Sequence, residues 1–539
     1  MSKQENSKRE EHFDAIIIGA GPAGLYQLHK LLKLGISVAL LEAGSGVGGV
    51  WYWNRYPGAR LDSESYTYGY FFSDEITNGW NWSEEFVGQP ELERYYNFVV
   101  DKLDLRSHIQ FNTRLDAAHF DVAAREWHLD LSGGRKMSCK FLLPALGILS
   151  APIYPNIPGR DVYSGTMLLT ALWPKEKVDL AGKRVAVVGT GASGVQLVSE
   201  IAGVVSKLYV FQRTPNWCLP LNNKPISDER SRELRANART IYERLIAAPN
   251  GYIHAEPQMN GADLTAQERR SFYDNLWRQS GLRFFSGNFK DMITDRTVND
   301  SVNEYLAETI RGRIKDPKLA EKLVPRDHGF GTKRPPLEKG YYEAFNQDNV
   351  VLVDMREEPI REFSKNGIVT TKEEYPCDVI VIATGFDALT GALERVDIRG
   401  VEGKNLKEHW AKGARTHISM FSKGFPNLFM VNGPQGPTGN NTRTSEYIVD
   451  FVTSCIEYMQ SNGYAVAETT SEAEEHWVQK ISDAAKKTLI DGEQTTWLLG
   501  TNVEGKVRAP LQFLEGLRAF RKYCSELREQ NYKGITFSK

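Results

Sequence analysis

The strongest constraint on the fold is a glycine-rich motif that occurs twice, each time directly after a short apolar run. The chain reads Gly-Ala-Gly-Pro-Ala-Gly at 19–24 and Gly-Thr-Gly-Ala-Ser-Gly at 189–194. A glycine turn between a strand and a helix lets the backbone approach a pyrophosphate, which then lies at the helix N-terminus. The duplication predicts an α/β fold with two Rossmann-like dinucleotide-binding domains. The glycines predicted to serve the two sites are Gly19, Gly21 and Gly24, and Gly189, Gly191 and Gly194.

The two motifs differ in charge at the position that would contact the nucleotide ribose. Glu42 and Gln212 each end the next apolar run, 23 positions after the first glycine of their motif, and Arg213 follows Gln212. A carboxylate at this place accepts hydrogen bonds from a ribose diol and repels a 2′-phosphate, whereas an arginine beside it attracts the phosphate. The pair predicts an FAD site followed by an NADP site, and therefore a flavoprotein reduced by NADPH.

Composition excludes several classes of protein. The 539 residues suffice for two or more domains, and the net charge of −2 argues against nucleic acid as a partner. The five cysteines form no CxxC pair and the histidines form no HExxH motif, so neither a dithiol mechanism nor a metal site is expected. Residues 1–14 are charged throughout, and no apolar run approaches the roughly 20 residues that span a bilayer. We expect a cytoplasmic enzyme without a membrane segment.

Changes in composition along the chain suggest how the domains are arranged. Prolines near 152–158 mark the passage from the first nucleotide unit into the second, and a polar, Arg- and Glu-rich stretch after 225 has helical character. Within it, residues 265–268 (Thr-Ala-Gln-Glu) predict a helix capping box. We expect an FAD-binding domain from 1–145 and 385–539, an NADP-binding domain from 151–225 and 326–384, and a mainly helical insertion at 226–325.

A block after the first motif identifies a family. Positions 48–62 read Gly-Gly-Val-Trp-Tyr-Trp-Asn-Arg-Tyr-Pro-Gly-Ala-Arg-Leu-Asp. Together with the two glycine motifs, this block resembles the class B flavoprotein Baeyer–Villiger monooxygenases of the cyclohexanone and phenylacetone monooxygenase type. Further resembling blocks lie at 211–217, 330–335 and 497–502, in the order found in the family. The resemblance extends from about residue 13 to the C-terminus.

The resemblance implies a reaction and the residues that support it. NADPH would reduce FAD, O2 would add to the reduced flavin, and the anionic flavin peroxide would attack a small apolar ketone to give an ester or lactone. Arg334 matches the arginine that stabilises this peroxide, and Asp62 matches the carboxylate that positions the arginine. The other residues expected to bind the cofactors are Lys333, Arg213 and Thr214 at the NADPH 2′-phosphate, Trp497 on a mobile loop, and Glu42, Gly49, Trp51, Asp62 and Tyr66. We expect a monomer or a weak homo-oligomer.

One block departs from the family pattern. The family reads Phe-x-Gly-x-x-x-His-x-x-x-Trp followed by Pro or Asp, and this chain has Tyr163 in place of the phenylalanine and Leu169 in place of the histidine. Leucine neither donates nor accepts a hydrogen bond. In the family this histidine is thought to couple NADP-domain movement to the active site. We hypothesise that the chemistry is retained and that domain coupling is altered.

Two alternatives stay open at this point. A related flavin monooxygenase could oxygenate nitrogen or sulfur as its main task, which would require a protonated flavin hydroperoxide; the Arg334–Asp62 pair favours the anion instead. A decoupled NADPH oxidase or a non-oxygenating flavoprotein is the second alternative, and Leu169 is the feature that would favour it.

Overall fold

The first glycine motif connects an inner strand of a seven-stranded mixed sheet to a helix. In the computed structural model, which describes residues 10–254 and 256–539, this strand is Glu11–Ile18 and the helix is Pro22–Lys33. The apolar half of the strand is fully buried, as β-branched isoleucines favour. In spatial order the strands are Asp397–Arg399, Leu115–Asp121, Glu126–Leu131, Arg135–Pro144, Glu11–Ile18, Val38–Leu41 and Ile109–Gln110. The four strands from Arg135–Pro144 to Ile109–Gln110 run parallel, as a Rossmann unit requires.

The second glycine motif lies in an entirely parallel sheet of five strands. It joins strand Arg184–Val188 to helix Ala192–Ile201. In spatial order the strands of this sheet are Val350–Asp354, Lys207–Gln212, Arg184–Val188, Val379–Ile382 and Thr166–Leu169. The α/β prediction with two Rossmann-like units is therefore confirmed.

The stretch between the two halves of the second sheet is helical. Its helices are Asp228–Ala236, Ala238–Ala247, Ala266–Trp277, Arg283–Ser286, Arg296–Arg313 and Pro317–Leu323. The predicted capping box is present: the Thr265 side chain accepts from Glu268 N at 3.3 Å, and the Glu268 carboxylate accepts from Thr265 N at 2.8 Å. Aromatic rings pack against one another inside the insertion; Phe284 is stacked on Tyr305, with 5.9 Å between the ring centres.

The C-terminal region returns to the first sheet and packs long helices against it. Helix Asn441–Asn462 lies against helix Pro22–Lys33, and its buried residues include Ile448, Val452 and Ile456. The other helices of this region and of the first domain are Gln89–Lys102, Ser471–Lys486 and Gly516–Glu529, with short turns at Val50–Trp53, Ser65–Tyr68, Asp74–Gly79, Tyr341–Ala344, Gly391–Glu394 and Leu406–His409. A three-stranded sheet has Gly367–Thr370 in the middle, between Ile360–Phe363 and Glu374–Pro376. Three two-stranded sheets pair Leu219–Pro220 with Leu337–Glu338, Gly436–Pro437 with Gln512–Phe513, and Val466–Thr469 with Ile535–Ser538.

Two chain segments cross between the sheets, and they run side by side. The first leaves strand Arg135–Pro144, and the second leaves strand Val379–Ile382. They are joined where Ile153 N donates to Gly385 O at 3.0 Å and Asp387 N donates to Ala151 O at 2.8 Å. The domain boundaries stay a prediction from the sequence, and we propose that they lie at these crossings; residues 1–9 of the first domain lie outside the described part of the chain. No helix in the described ranges is long and apolar enough to cross a membrane.

Candidate active site

A large cavity lies between the two sheets and is bordered by both glycine motifs. Its volume is about 1750 Å³, which exceeds the roughly 300–1,000 Å³ of a pocket for one small ligand. Of the predicted site residues, those that line it are Gly19, Gly21, Glu42, Gly49, Trp51, Asp62, Gly189, Gly191, Arg213, Thr214, Lys333, Arg334 and Trp497. The predicted residues therefore converge on one space, although they come from distant parts of the chain.

The first and third glycines of the two motifs have matching environments. Gly19 and Gly189 have φ values of +106° and +111°, and a side chain on either would meet the carbonyl of the neighbouring crossing segment, at Ala145 or Ala383. A Cβ on Gly24 or Gly194 would collide with the carbonyl oxygen of the first glycine of its own motif. Gly24 and Gly194 are therefore needed for close packing of helix on strand, and they lie outside the cavity lining.

The side chains of Glu42 and Gln212, at the two positions expected to contact a ribose, point in different directions. Glu42 is buried, and its carboxylate accepts from Ala20 N at 2.8 Å and from Gly44 N at 2.7 Å at the cavity edge. Burial raises the pKa of Glu42, and the two backbone donors partly offset this effect. Gln212 instead donates to Lys322 O at 2.7 Å, so that Arg213 is the residue of the second strand end that faces the cavity.

The aromatic block at 48–62 lies beside the first motif. Gly49 has a φ of +59°, and a Cβ there would lie 2.9 Å from the Cα of Gly21, so only glycine allows this approach. The indole of Trp51 donates to the hydroxyl of Tyr68 at 3.1 Å, and both residues line the cavity. Tyr66 does not: it packs against apolar side chains of the helical insertion. The structure thus brings Tyr68, rather than Tyr66, to the cavity.

Two cations face the second motif without a carboxylate partner. Arg213 and Lys333 both line the cavity, and neither forms an ion pair with any carboxylate in the described ranges. Burial lowers the pKa of Lys333, the charges of Asp327 and Glu493 oppose this effect in part, and the charge of Arg213 adds a smaller lowering. Thr214 follows Arg213, and its carbonyl accepts from the Thr190 hydroxyl at 2.9 Å. This arrangement suits a phosphate dianion.

Arg334 and Asp62 meet in the same cavity. Arg334 Nε donates to Asp62 Oδ2 at 2.6 Å, and the two side chains are 37% and 34% exposed, which leaves them accessible to a ligand. Burial alone would lower the pKa of Arg334, but attraction to Asp62 and contact with Tyr252 outweigh it, so that the pKa lies above its ordinary value. The guanidinium therefore stays a fixed cation at any working pH.

A third residue contacts this pair and was missed by sequence reasoning. Arg334 Nη1 donates to the hydroxyl of Tyr252 at 3.3 Å, and Tyr252 is buried at the cavity wall. Its ring stacks on the imidazole of His254, with ring centres 5.4 Å apart and an interplanar angle of 6°. Tyr252 lies in the helical insertion, where no local motif marks it.

The loop that carries Trp497 contacts both the second crossing segment and the block before Arg334. Asn502 donates to Phe386 O at 2.9 Å, and the Thr496 hydroxyl donates to Thr332 O at 3.3 Å. Trp497 is half-buried and begins a short 3₁₀ turn at the cavity edge. The loop therefore connects the domain crossing to the residues that surround Arg334.

Leu169 lies away from the cavity lining. It ends the edge strand Thr166–Leu169, pairs with Ile382, is 6% exposed, and belongs to an apolar cluster with Val188 and Phe211. The crossing segments themselves do line the cavity. Thr384 donates its hydroxyl to Ile153 O at 2.6 Å, a bond that Leu146, at the matching place in the first crossing, has no group to make.

These features fit two dinucleotides. Each glycine turn offers a close backbone approach at a helix N-terminus, the first site adds the buried Glu42, and the second adds two cations without carboxylate partners. FAD suits the first site and NADP the second. In the described part of the chain no three His, Cys, Asp or Glu side chains are placed to hold a metal ion.

The sequence relatives cover nearly the full chain. Residues 13–244 match the pyridine nucleotide-disulphide oxidoreductase family, a range that contains both glycine motifs. The chain is 41% identical over 98% of its length to 2-oxo-Delta(3)-4,5,5-trimethylcyclopentenylacetyl-CoA monooxygenase of Pseudomonas putida, covering 99% of that protein. It is 39% identical over 99% of its length to cyclopentanone 1,2-monooxygenase of Comamonas sp., covering 97% of it. A Baeyer-Villiger monooxygenase of Pseudooceanicola batsensis is 36% identical over 97% of the chain and is 96% covered.

A solved structure extends this likeness to three dimensions. The crystal structure of OTEMO in complex with FAD and NADP superimposes with a TM-score of 0.95 at 40% identity, covering 98% of this chain and 100% of that one. The likeness thus includes both sheets, the insertion and the C-terminal region. The chain belongs to the Baeyer–Villiger monooxygenase family of flavoproteins.

Proposed function

We propose that the protein oxidises a ketone to an ester or lactone, with Arg334 as the cation that stabilises the negative charge of the reaction. As a member of this family it is an NADPH- and O2-dependent flavoprotein monooxygenase. The observation that supports the role of Arg334 is its 2.6 Å contact with Asp62 inside the cavity that both glycine motifs border. The preference for an apolar ketone, the cytoplasmic location, and the monomeric or weakly oligomeric state stay predictions from the sequence.

The cofactors supply the oxidising chemistry, and the residues of this chain bind and orient them. When bound, FAD reduced by NADPH converts O2 into the activated oxygen that attacks the ketone. Gly19, Gly21 and Gly49 give the first dinucleotide its close backbone approach, and Glu42 would accept from its ribose. Arg213 and Lys333 would hold the 2′-phosphate of the second. Arg213 and Lys333 therefore select NADPH over NADH.

The electrostatics of Arg334 distinguish ketone attack from the alternative oxygenation of nitrogen or sulfur. A ketone is attacked by an anionic oxygen, whereas an amine or sulfide requires a protonated, electrophilic one. A fixed cation aimed at developing charge is often the largest single contribution to catalysis, about 3–4 kcal/mol for one donor. Asp62 keeps the guanidinium oriented through Nε, and Tyr252 contacts Nη1, so that Nη2 can donate to the reacting oxygen.

The experiment uses FAD-loaded protein with NADPH, air, and a panel of cyclic, linear and aryl ketones. NADPH consumption, hydrogen peroxide and ester are followed together. Ester formed in step with NADPH consumption supports the proposal. Hydrogen peroxide alone across the panel supports the decoupled oxidase, and efficient oxygenation of amines or sulfides without any ester supports the first alternative; either result contradicts the proposal.

A further inference from the structure

Tyr252 has a hydroxyl proton for which the described residues offer no acceptor. The hydroxyl accepts from Arg334 Nη1 at 3.3 Å, and no hydrogen bond donated by Tyr252 is found across residues 10–254 and 256–539. The residue lines the cavity beside Arg334. A buried phenol hydroxyl usually donates a hydrogen bond as well as accepting one, so this proton is available to a ligand in the cavity.

The ring of Tyr252 stacks on a buried histidine, and this histidine contacts a buried carboxylate. His254, on which the ring stacks, contacts the Glu64 carboxylate at 3.0 Å, and these two side chains are 2% and 1% exposed. Arg283 contacts the same carboxylate at 3.2 Å. Burial by itself would raise the pKa of Glu64, but His254 and Arg283 outweigh it and lower the pKa, so the carboxylate is charged. The stacking on His254 therefore holds the Tyr252 ring in one position and orientation.

The two carboxylates that position Arg334 and Tyr252 lie two residues apart in the chain. Asp62 binds the guanidinium, and Glu64, two residues later, binds the histidine under the tyrosine ring. Burial raises the pKa of Tyr252, and the Arg334 charge lowers it only in part. The phenol is therefore protonated and able to donate throughout the neutral range.

The reaction places negative charge on the carbonyl oxygen when the carbonyl carbon is attacked. We propose that Tyr252 donates a hydrogen bond to this oxygen, so that Tyr252 and Arg334 together form an oxyanion-binding site. Tyr252 is thus a catalytic residue that stabilises charge without releasing its proton, and no bond of the tyrosine forms or breaks. A hydroxyl that accepts from a cation is a stronger donor, because the two hydrogen bonds polarise each other. This inference rests on the proposed function.

The test is Tyr252→Phe, which removes the hydroxyl and keeps the ring on His254. Loss of one oxyanion donor costs about 100-fold or more, so kcat/KM for ester formation should fall by about 100-fold. NADPH oxidation without ketone is measured on the same protein, so that a loss confined to the carbonyl step can be separated from a general loss of the cofactor reactions. Tyr273→Phe is the matched control, since Tyr273 is an equally buried tyrosine of the insertion that bonds Ser301 and lies outside the cavity lining.

FAD absorbance and Tm report whether Tyr252→Phe folds. Should it fail to load FAD, 3,5-difluorotyrosine at 252 keeps the ring and hydroxyl but ionises at lower pH. Ester formation should then decline with rising pH earlier than in wild type, and ketone-free NADPH oxidation is followed over the same pH series to separate this effect from a change in the cofactor reactions. Wild-type ester formation in Tyr252→Phe, or an unshifted pH profile in the fluorinated protein, overturns this inference alone. A wild-type protein that forms no ester overturns the proposed function as well.

Discussion

Arg334 Nε lies 2.6 Å from Asp62 Oδ2, although 272 positions separate the two residues in the sequence. Asp62 ends the aromatic block of the first domain, and Arg334 lies after the insertion, just before strand Leu337–Glu338. This contact inside the cavity therefore forms only when both parts of the chain are in place. This geometry makes the pair the first target for mutagenesis.

Replacing Arg334 by Met should abolish oxygenation while leaving NADPH oxidation intact. The volume is roughly kept and the cation is lost, so the developing charge loses about 3–4 kcal/mol of stabilisation, equal to a 10²–10³-fold fall in ester formation. Hydrogen peroxide per NADPH should approach one. Asp62→Asn should cause a smaller fall in ester formation, because the guanidinium is retained but held less firmly. Equal ester yields from Arg334→Met and wild type would contradict the role assigned to Arg334.

Removing the cations at the second motif should change the cofactor preference. Arg213→Ala and Lys333→Ala should each raise the KM for NADPH about 10- to 100-fold, since a hydrogen bond to a charged group contributes about 1.5–3 kcal/mol. The KM for NADH should hardly change, because NADH has no 2′-phosphate. Arg239→Ala is the control, as the Arg239 side chain is 93% exposed on the insertion. Parallel losses with NADPH and NADH would argue against a phosphate contact.

The lowered pKa of Lys333 predicts how NADPH binding depends on pH. Only the protonated amine attracts the phosphate, and burial lowers its pKa from the ordinary 10.5 in spite of the opposing charges of Asp327 and Glu493. The KM for NADPH should therefore rise in the alkaline range, at a lower pH than an exposed lysine would give. Lys333→Arg should remove this dependence, because arginine stays protonated. The KM for NADH, measured over the same pH series, should remain flat.

Introducing the family histidine tests the coupling hypothesis. Leu169→His places an imidazole at the end of strand Thr166–Leu169, and we expect less hydrogen peroxide per NADPH during ketone turnover. The same change puts a polar ring into an apolar cluster, which should cost about 1–3 kcal/mol of folding stability. Leu169→Met is the control for packing. Unchanged hydrogen peroxide release in a folded Leu169→His protein would refute the coupling hypothesis.

The sequence predicted the features that depend on local patterns. The two strand–turn–helix units, their glycines and the Thr265 capping box each rest on a few consecutive residues. Equal spacing in the sequence does not guarantee equal orientation, as Gln212 shows. Its spacing from the glycine motif matches that of Glu42, yet its side chain donates to Lys322 O because the insertion packs there. The fold around a position decides which way its side chain faces.

The site was predicted less completely than the fold. Tyr66 and Tyr68 lie in one short helix, Ser65–Tyr68, where residues two apart face opposite sides, so only Tyr68 reaches the cavity. Tyr252 reaches Arg334 from 82 positions away and belongs to no motif. Contacts of this kind arise from the packing of the insertion over the cavity, which periodicity and spacing do not describe.

The paired crossings between the sheets define how the halves of the molecule can move. Because Ala151 and Ile153 are hydrogen-bonded to Asp387 and Gly385, the two strands of the joint form one ribbon. Two segments joined in this way have fewer independent backbone torsions than two separate linkers, so we expect the two dinucleotide-binding domains to move relative to each other about one shared hinge line. Each closure would then return Arg334 to the same position against Asp62.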